Sequence, residues 1–316
     1  MTVASINELI DATSSEKQTP LKIFVAYFLC ATIWGTTWYG IRVCIGPGGF
    51  PTYPAAALRF TLSAALLAIF WLFRANKYKK PSLFELKWIL CAGGISGVGY
   101  GLLYSAEEQI SGGLAAVLSA TGPLIAALIA MATRTEATSK IKILGSIFAI
   151  VGVALVFHDR LQVSVAQASA VGIVTLVCIL NASSNVVMKK YAKEVAAIAC
   201  NTIFFGAAAV TLWISSLISG KYLVTAWNLT PTLALLYLTV FGTLIAFASF
   251  FYLLKHVRLS TAMTLAFVTP IIALGVDAIY EKGTVLTAES YIGIAVVLIS
   301  VAISILVKDP PHQPHK

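Results

Sequence analysis

Residues 112–136 read GGLAAVLSATGPLIAALIAMATRTE, and residues 259–281 read LSTAMTLAFVTPIIALGVDAIYE. Each is an apolar run with a proline near its middle, Pro123 or Pro270, a threonine just before it, and a glutamate at the end, Glu136 or Glu281. An aliphatic run containing glycine follows each: GSIFAIVGVALVF at 145–157 and YIGIAVVLISVAISILV at 291–307. The two prolines are 147 residues apart, and at that offset WGTTWYGIR (34–42) meets NASSNVVMK (181–189), each closed by a basic residue, Arg42 or Lys189. The recurrence of these features in one order reads as a duplication of a membrane-spanning unit.

Outward from these runs, the rest of the chain has the same character. Of its 316 residues 59% are hydrophobic and 11% charged, with a mean hydropathy of +0.88. A soluble domain needs about 25% charged residues to make its surface. Lipid offers the backbone no hydrogen-bond partner, so each span must be a helix or belong to a closed barrel. Continuous apolarity, without alternation every second residue, excludes the barrel. The apolar runs predict ten spans, at 23–43, 54–73, 88–106, 112–133, 141–157, 168–188, 198–219, 232–254, 260–280 and 290–307.

With the N-terminus on one side and alternate loops assigned to opposite sides, the far side receives only Arg42, Arg59, Arg160, Lys221 and Lys282. The near side holds the other 17 of the 22 Lys and Arg residues. The positive-inside rule makes the near side cytoplasmic, so both termini are expected inside. The net charge of +9 is thereby a topology signal rather than a nucleic-acid footprint. Five spans is an odd number, so the second unit starts from the opposite face and the repeats are inverted. The expected organisation is a polar cytoplasmic segment at 1–21, five-helix repeats at 22–160 and 161–307, and a cytoplasmic tail at 308–316. Residues 1–20 hold no apolar core resembling a signal peptide, so the first span is expected to be retained.

The chain resembles the drug/metabolite transporter superfamily, in its ten-helix EamA-type branch. The resemblance is carried by Trp34-Gly35-Thr36, by Ala57-Leu58-Arg59-Phe60, and by the Pro123/Glu136 and Pro270/Glu281 pairs, and it covers about residues 22–307. It implies export or exchange of small organic solutes, including amino acids, drugs and sugar derivatives. It also implies a central cavity between spans one, three, four, six, eight and nine. The chain departs from the pattern at span six, where Asn181-Ala182 stands in place of Trp-Gly. A bacterial inner membrane is the expected location.

Polar groups inside a membrane are costly and should face the bundle interior. The expected substrate-binding residues are Trp34, Tyr100, Thr121, Asn181, Asn185, Thr243, Phe247 and Thr269. Asn181 and Asn185 share a helical stripe with Ser184 and Met188, where two amides can both donate and accept, or else join neighbouring helices. Tyr104 is expected nearer the outer mouth. Gly93, Gly97 and Gly101 read as a seam for close helix contact. Pro123 and Pro270 are expected to act as hinges, each removing a helical hydrogen bond in mid-span. Arg59 is expected to snorkel to the outer surface or to receive a substrate carboxylate, and Asp277 is a second possible charge partner. No charged residue is expected at the midplane, which points away from an obligatory ion site and from a highly charged substrate.

These readings predict a transporter, exporter or exchanger, of small organic metabolites. Amino acids and related compounds lead, with drugs, amines, neutral sugars or nucleosides as alternatives. A channel or a non-transporting membrane receptor is the rival of a different class. The four histidines fall in loops or the tail and no HExxH or acidic cluster occurs, so no enzyme activity, metal or cofactor is expected. The five cysteines show no paired spacing and read as packing residues. The partners expected are a small-molecule substrate and the lipid bilayer, with the protein a monomer.

Overall fold

The computed structural model describes residues 3–73, 80–109, 118–135, 139–156, 168–220, 227–280 and 287–307, and among these it is helical with no strand. The helices are α1 Val3–Ile45, α2 Thr52–Phe73, α3 Leu83–Ala106, α4 Gly122–Ala132, α5 Lys140–Val156, α6 Ala168–Tyr191 and α7 Ala197–Ile218. After them come α8 Leu229–Thr239, a π-helical turn Val240–Ile245, α9 Ala246–His256, α10 Leu259–Met263, α11 Leu265–Tyr280 and α12 Ala288–Leu306.

Among the described residues six helical stretches are long and apolar enough to cross a membrane: Pro20–Ile45, Thr52–Phe73, Leu83–Glu107, Gly172–Tyr191, Ala197–Ile218 and Leu229–His256. Shorter apolar helices run over Gly122–Ala132, Leu259–Ala273 and Tyr291–Ser300. Their outward faces carry bare apolar side chains, with Phe24, Phe28, Ile69, Leu72, Phe73 and Ile218 all more than half exposed. A continuous surface of this kind would aggregate in water and is the normal face of a helix in lipid.

Without a hydrophobic drive between helices in lipid, packing depends on small residues and on polar contacts. The glycine seam of α3 meets α7, as the sequence predicts. A Cβ on Gly93 would lie 2.4 Å from the Phe204 carbonyl oxygen, and one on Gly97 would lie 2.7 Å from that of Ala208. The other face of α3 meets α6, where the Ser184 hydroxyl donates to the Ala92 carbonyl at 2.9 Å. α1 joins the second half of the chain: Cys30 Sγ donates to the Ala246 carbonyl at 3.0 Å, and the Tyr27 and Thr264 hydroxyls pair at 2.8 Å. At the end of α6, Lys189 Nζ donates to the carbonyls of Leu254 and Val257, which capture the close of α9. Cys30, Cys44, Cys178 and Cys200 are buried thiols and Cys91 is exposed.

The expected mid-helix kink at Pro123 is corrected by the structure. Helix stops at Ser119, Ala120 and Thr121 form a turn, and α4 begins at Gly122 with Pro123 in its first turn. There the missing N–H sacrifices no helical bond, so this proline starts a helix rather than bending one. Pro270 does lie inside a helix, α11. It leaves the Ala266 carbonyl without its usual donor four residues on. Glu136 and Glu281 lie outside the described residues, as do residues 112–117 of the fourth expected span. The backbone of Asp277 belongs to α11, while its side chain is outside the described set.

Candidate functional site

Where these helices converge they leave a half-open cavity of about 200 Å³. Trp34, Trp38, Tyr100, Phe204, Phe247 and Phe250 form its aromatic wall. Its polar wall includes Asn181, Asn185, Thr37, Ser96, Thr269 and Arg59. Spans two and seven thus contribute to the lining alongside the six expected ones, through Arg59 of α2 and Phe204 of α7.

The aromatic wall is organised around Phe247. Its ring lies 5.2 to 6.4 Å, centroid to centroid, from those of Trp34, Phe60, Tyr100, Phe204, Phe205 and Phe251. Tilted and edge-on pairs at such distances are favourable beyond their buried area and leave little rotamer freedom. Trp34 is further fixed by its indole N–H, which donates to the Gly242 carbonyl at 3.3 Å.

The amides of span six lie on the wall with little internal commitment. Asn185 Nδ2 contacts the Met263 sulfur at 3.5 Å, and thioether sulfur is a weak acceptor. Asn181 makes no hydrogen bond among the described residues. An amide with spare donors and acceptors facing a cavity can serve a solute with either polarity.

Arg59 is the largest departure from expectation. It is 1% exposed and does not snorkel. Its Nε donates to Thr243 Oγ1 at 2.7 Å, Nη1 to the Tyr104 hydroxyl at 3.1 Å, and Nη2 to the Gly242 carbonyl at 3.0 Å. Gly242 and Thr243 belong to the π-helical turn, in which Thr243 Oγ1 also donates to the Leu238 carbonyl, five residues back, at 2.9 Å. Such turns carry a local rearrangement of the helical ladder and tend to occur at functional sites. The glycine is required here, because a Cβ at 242 would meet Thr37 Cγ2 at 2.9 Å and Arg59 Nη2 at 3.2 Å. The faces of Phe60 and Tyr100 stand 5.5 and 5.6 Å from the guanidinium carbon.

Six of the expected residues therefore line the cavity together: Trp34, Tyr100, Asn181, Asn185, Phe247 and Thr269. Two stand off it. Thr121 turns its hydroxyl onto the Leu118 carbonyl at 2.7 Å, and Thr243, fully buried, holds Arg59 from behind. Tyr104 is fully buried against Arg59. Phe204, Phe250 and Met263 also line the cavity and were not expected there. Nothing in an apolar run distinguishes an inward phenylalanine from an outward one. Among the described residues no group of three or more His, Cys, Asp or Glu is placed to hold a metal ion.

A helical membrane bundle packed around a small cavity, with aromatic walls and a few weakly committed polar groups, fits a solute-handling membrane protein better than a lipid-facing scaffold. Comparison with known proteins gives the family. The EamA-like transporter family is matched over residues 21–158 and again over 168–306, and the chain belongs to that family. The inner membrane transporter YedA of Escherichia coli (strain K12) is 30% identical over 254 residues, covering 80% of this chain and 81% of YedA. Protein PagO of Salmonella typhimurium is 22% identical over 294 residues, covering 92% and 95%. The transporter YdfC of Bacillus subtilis (strain 168) is 24% identical over 257 residues, covering 80% and 81%. A solved crystal structure with 16% identity shares the fold at a TM-score of 0.72, over 90% of this chain and 96% of the other. The chain is accordingly a multi-pass integral membrane protein and a membrane transporter of small molecules, and its relative YedA is named as an inner membrane transporter.

Proposed function

We propose that the protein is an alternating-access exporter or exchanger of small organic metabolites, with amino acids and related compounds as the leading class. The observation that carries this reading is the cavity itself, about 200 Å³ with an aromatic wall facing two amides, of which Asn181 makes no hydrogen bond among the described residues and Asn185 only a weak one to Met263 sulfur. Sites for drug-sized ligands occupy roughly 300–1,000 Å³, so the volume favours a metabolite over a bulky drug. The cationic side chain of Arg59 in the wall also disfavours amines, which would meet a like charge in a poorly solvated space. We further propose ten spans in two inverted five-helix units with both termini cytoplasmic, in the bacterial inner membrane. The uneven distribution of Lys and Arg supports the orientation, and the two separate family matches support the repeat. Inverted units of similar fold can exchange conformations, which moves a shared cavity from one face to the other.

The test is counterflow in proteoliposomes made with the purified full chain. Excess unlabelled solute on one side should drive transient uptake of the labelled solute from the other, as a carrier requires and a channel does not show. Trp34→Ala and Asn185→Ala should each lower the rate about tenfold, the effect of one lost contact of roughly 1.4 kcal/mol. Unchanged exchange in both variants would remove this cavity from the transport path.

A further inference from the structure

Arg59 brings a full positive charge into the wall of the cavity; among the described residues no carboxylate makes a direct ion pair with it, and the buried Glu107 at the end of α3 interacts with it only at longer range. A guanidinium has five N–H donors. Three are committed, one each from Nε, Nη1 and Nη2, to Thr243, Tyr104 and Gly242. One donor on each terminal nitrogen is left, the number a carboxylate takes when it binds side by side. The neutral acceptors and the two ring faces soften the cost of burying the cation, but none of them supplies a negative charge.

The three committed bonds also hold the planar group rigidly. Two of its acceptors come from consecutive residues of the π-helical turn, and the third is the buried Tyr104. A fork fixed in this way loses little freedom when it binds, and that favours a directional partner over a diffuse one. The remainder of the wall is unsuited to a second anionic group, because the other residues that line the cavity are neutral.

From this we propose that Arg59 is the recognition site for a single carboxylate on the transported solute. The solute is then a small monocarboxylate whose apolar body lies against Trp34, Phe247 and Phe250. The assignment rests on the transporter reading above and narrows it from small metabolites to carboxylates. It makes Arg59 a specificity-determining residue, with Tyr104 and Thr243 as the residues that aim it.

The test is a matched panel offered to the purified full chain: leucine, leucinamide and isopentylamine, together with 4-methylpentanoate and 4-methylpentanamide. Thermal stabilisation reads binding, and counterflow of the same compounds reads transport. In the wild type the two carboxylates should bind at least tenfold more tightly than the amides and the amine. Arg59→Lys keeps the charge without the fork and should bind the carboxylates about tenfold less tightly while retaining the preference. Arg59→Gln should erase the preference. Should Arg59→Gln fail to fold, the wild-type panel decides alone. Equal binding of acid and amide by the wild type, or a preference that survives in Arg59→Gln, overturns the assignment. If amides or the amine are exchanged and carboxylates are not, the carboxylate site falls and the transporter reading stands. If no compound of the panel is bound or exchanged, the carboxylate site falls, and the amino-acid-class reading falls with it.

Discussion

Helices α2 and α7 are both 22 residues long, and each gives the cavity one side chain, the eighth from its start: Arg59 in one and Phe204 in the other. The next residues, Phe60 and Phe205, pack on each other with ring centroids 5.7 Å apart. Counted from the helix start, then, α2 presents a fixed cation and α7 an aromatic face, although the 147-residue offset of the repeat pairs Arg59 with Gly206, two positions past Phe204. A cavity lined by both is polar at one wall and apolar at another. It can orient a solute that a symmetric cavity would accept either way round.

The largest expected effect comes from levelling this difference. Arg59→Met keeps an unbranched apolar stem and removes the cation. Two charge-assisted hydrogen bonds to a carboxylate at about 1.5 kcal/mol each amount to about 3 kcal/mol, roughly a 150-fold loss of affinity for carboxylates. Titration calorimetry of the variant against leucine and 4-methylpentanoate measures it. A loss of less than threefold would mean that the two helices do not differ in what they do. Changing the other side of the pair should be milder and of a different kind. Phe204→Leu should cost less than about 1.5 kcal/mol. Its loss should fall equally on acids and amides, because the ring touches the solute body rather than its charge. Next in size is Tyr104→Phe, which removes one of the three groups that aim Arg59 without touching the cavity. About 1 kcal/mol, or roughly fivefold, is expected on carboxylates. An equal loss on the amides would show that Tyr104 acts through packing instead.

The contrast between the two helices also shows which parts of the molecule can be read from the chain. The six long apolar helices followed from apolar run length, and the α3 seam followed from glycines spaced four apart, because a missing side chain at helical spacing has one main use in lipid. Arg59 was less legible. An arginine two turns into a span can reach the surface with its long stem or point inward, and helical spacing permits both. A signal was present nonetheless. Ala55, Ala56 and Ser63 share the stripe of Arg59 and are all small, as inward-packing positions are, and each is at most 1% exposed. The large exposed residues of α2, Leu66, Ile69, Phe70, Leu72 and Phe73, come later. Pro123 was misread for a related reason. Proline is as well suited to the first turn of a helix as to a kink, and the turn at Ala120 and Thr121 that distinguishes the two is a property of the folded backbone.

The smallest effect belongs to Thr121, which sequence reasoning grouped with the binding residues because it stands two positions before Pro123. Its hydroxyl returns to the Leu118 carbonyl of its own turn and does not line the cavity. A local bond of this kind competes with solvent or with backbone alternatives and contributes little net energy. Thr121→Ala should therefore change carboxylate affinity less than twofold, a difference below about 0.4 kcal/mol. It should lower the thermal midpoint only slightly. Thr269, beside the other proline, supplies the control, since it does line the cavity. Thr269→Ala should reduce affinity measurably where Thr121→Ala does not. If the two threonines proved equally important, the solute path would have to run past the α4 turn as well as through the cavity between Arg59 and Phe204. The asymmetry between α2 and α7 would then be only one part of the recognition surface.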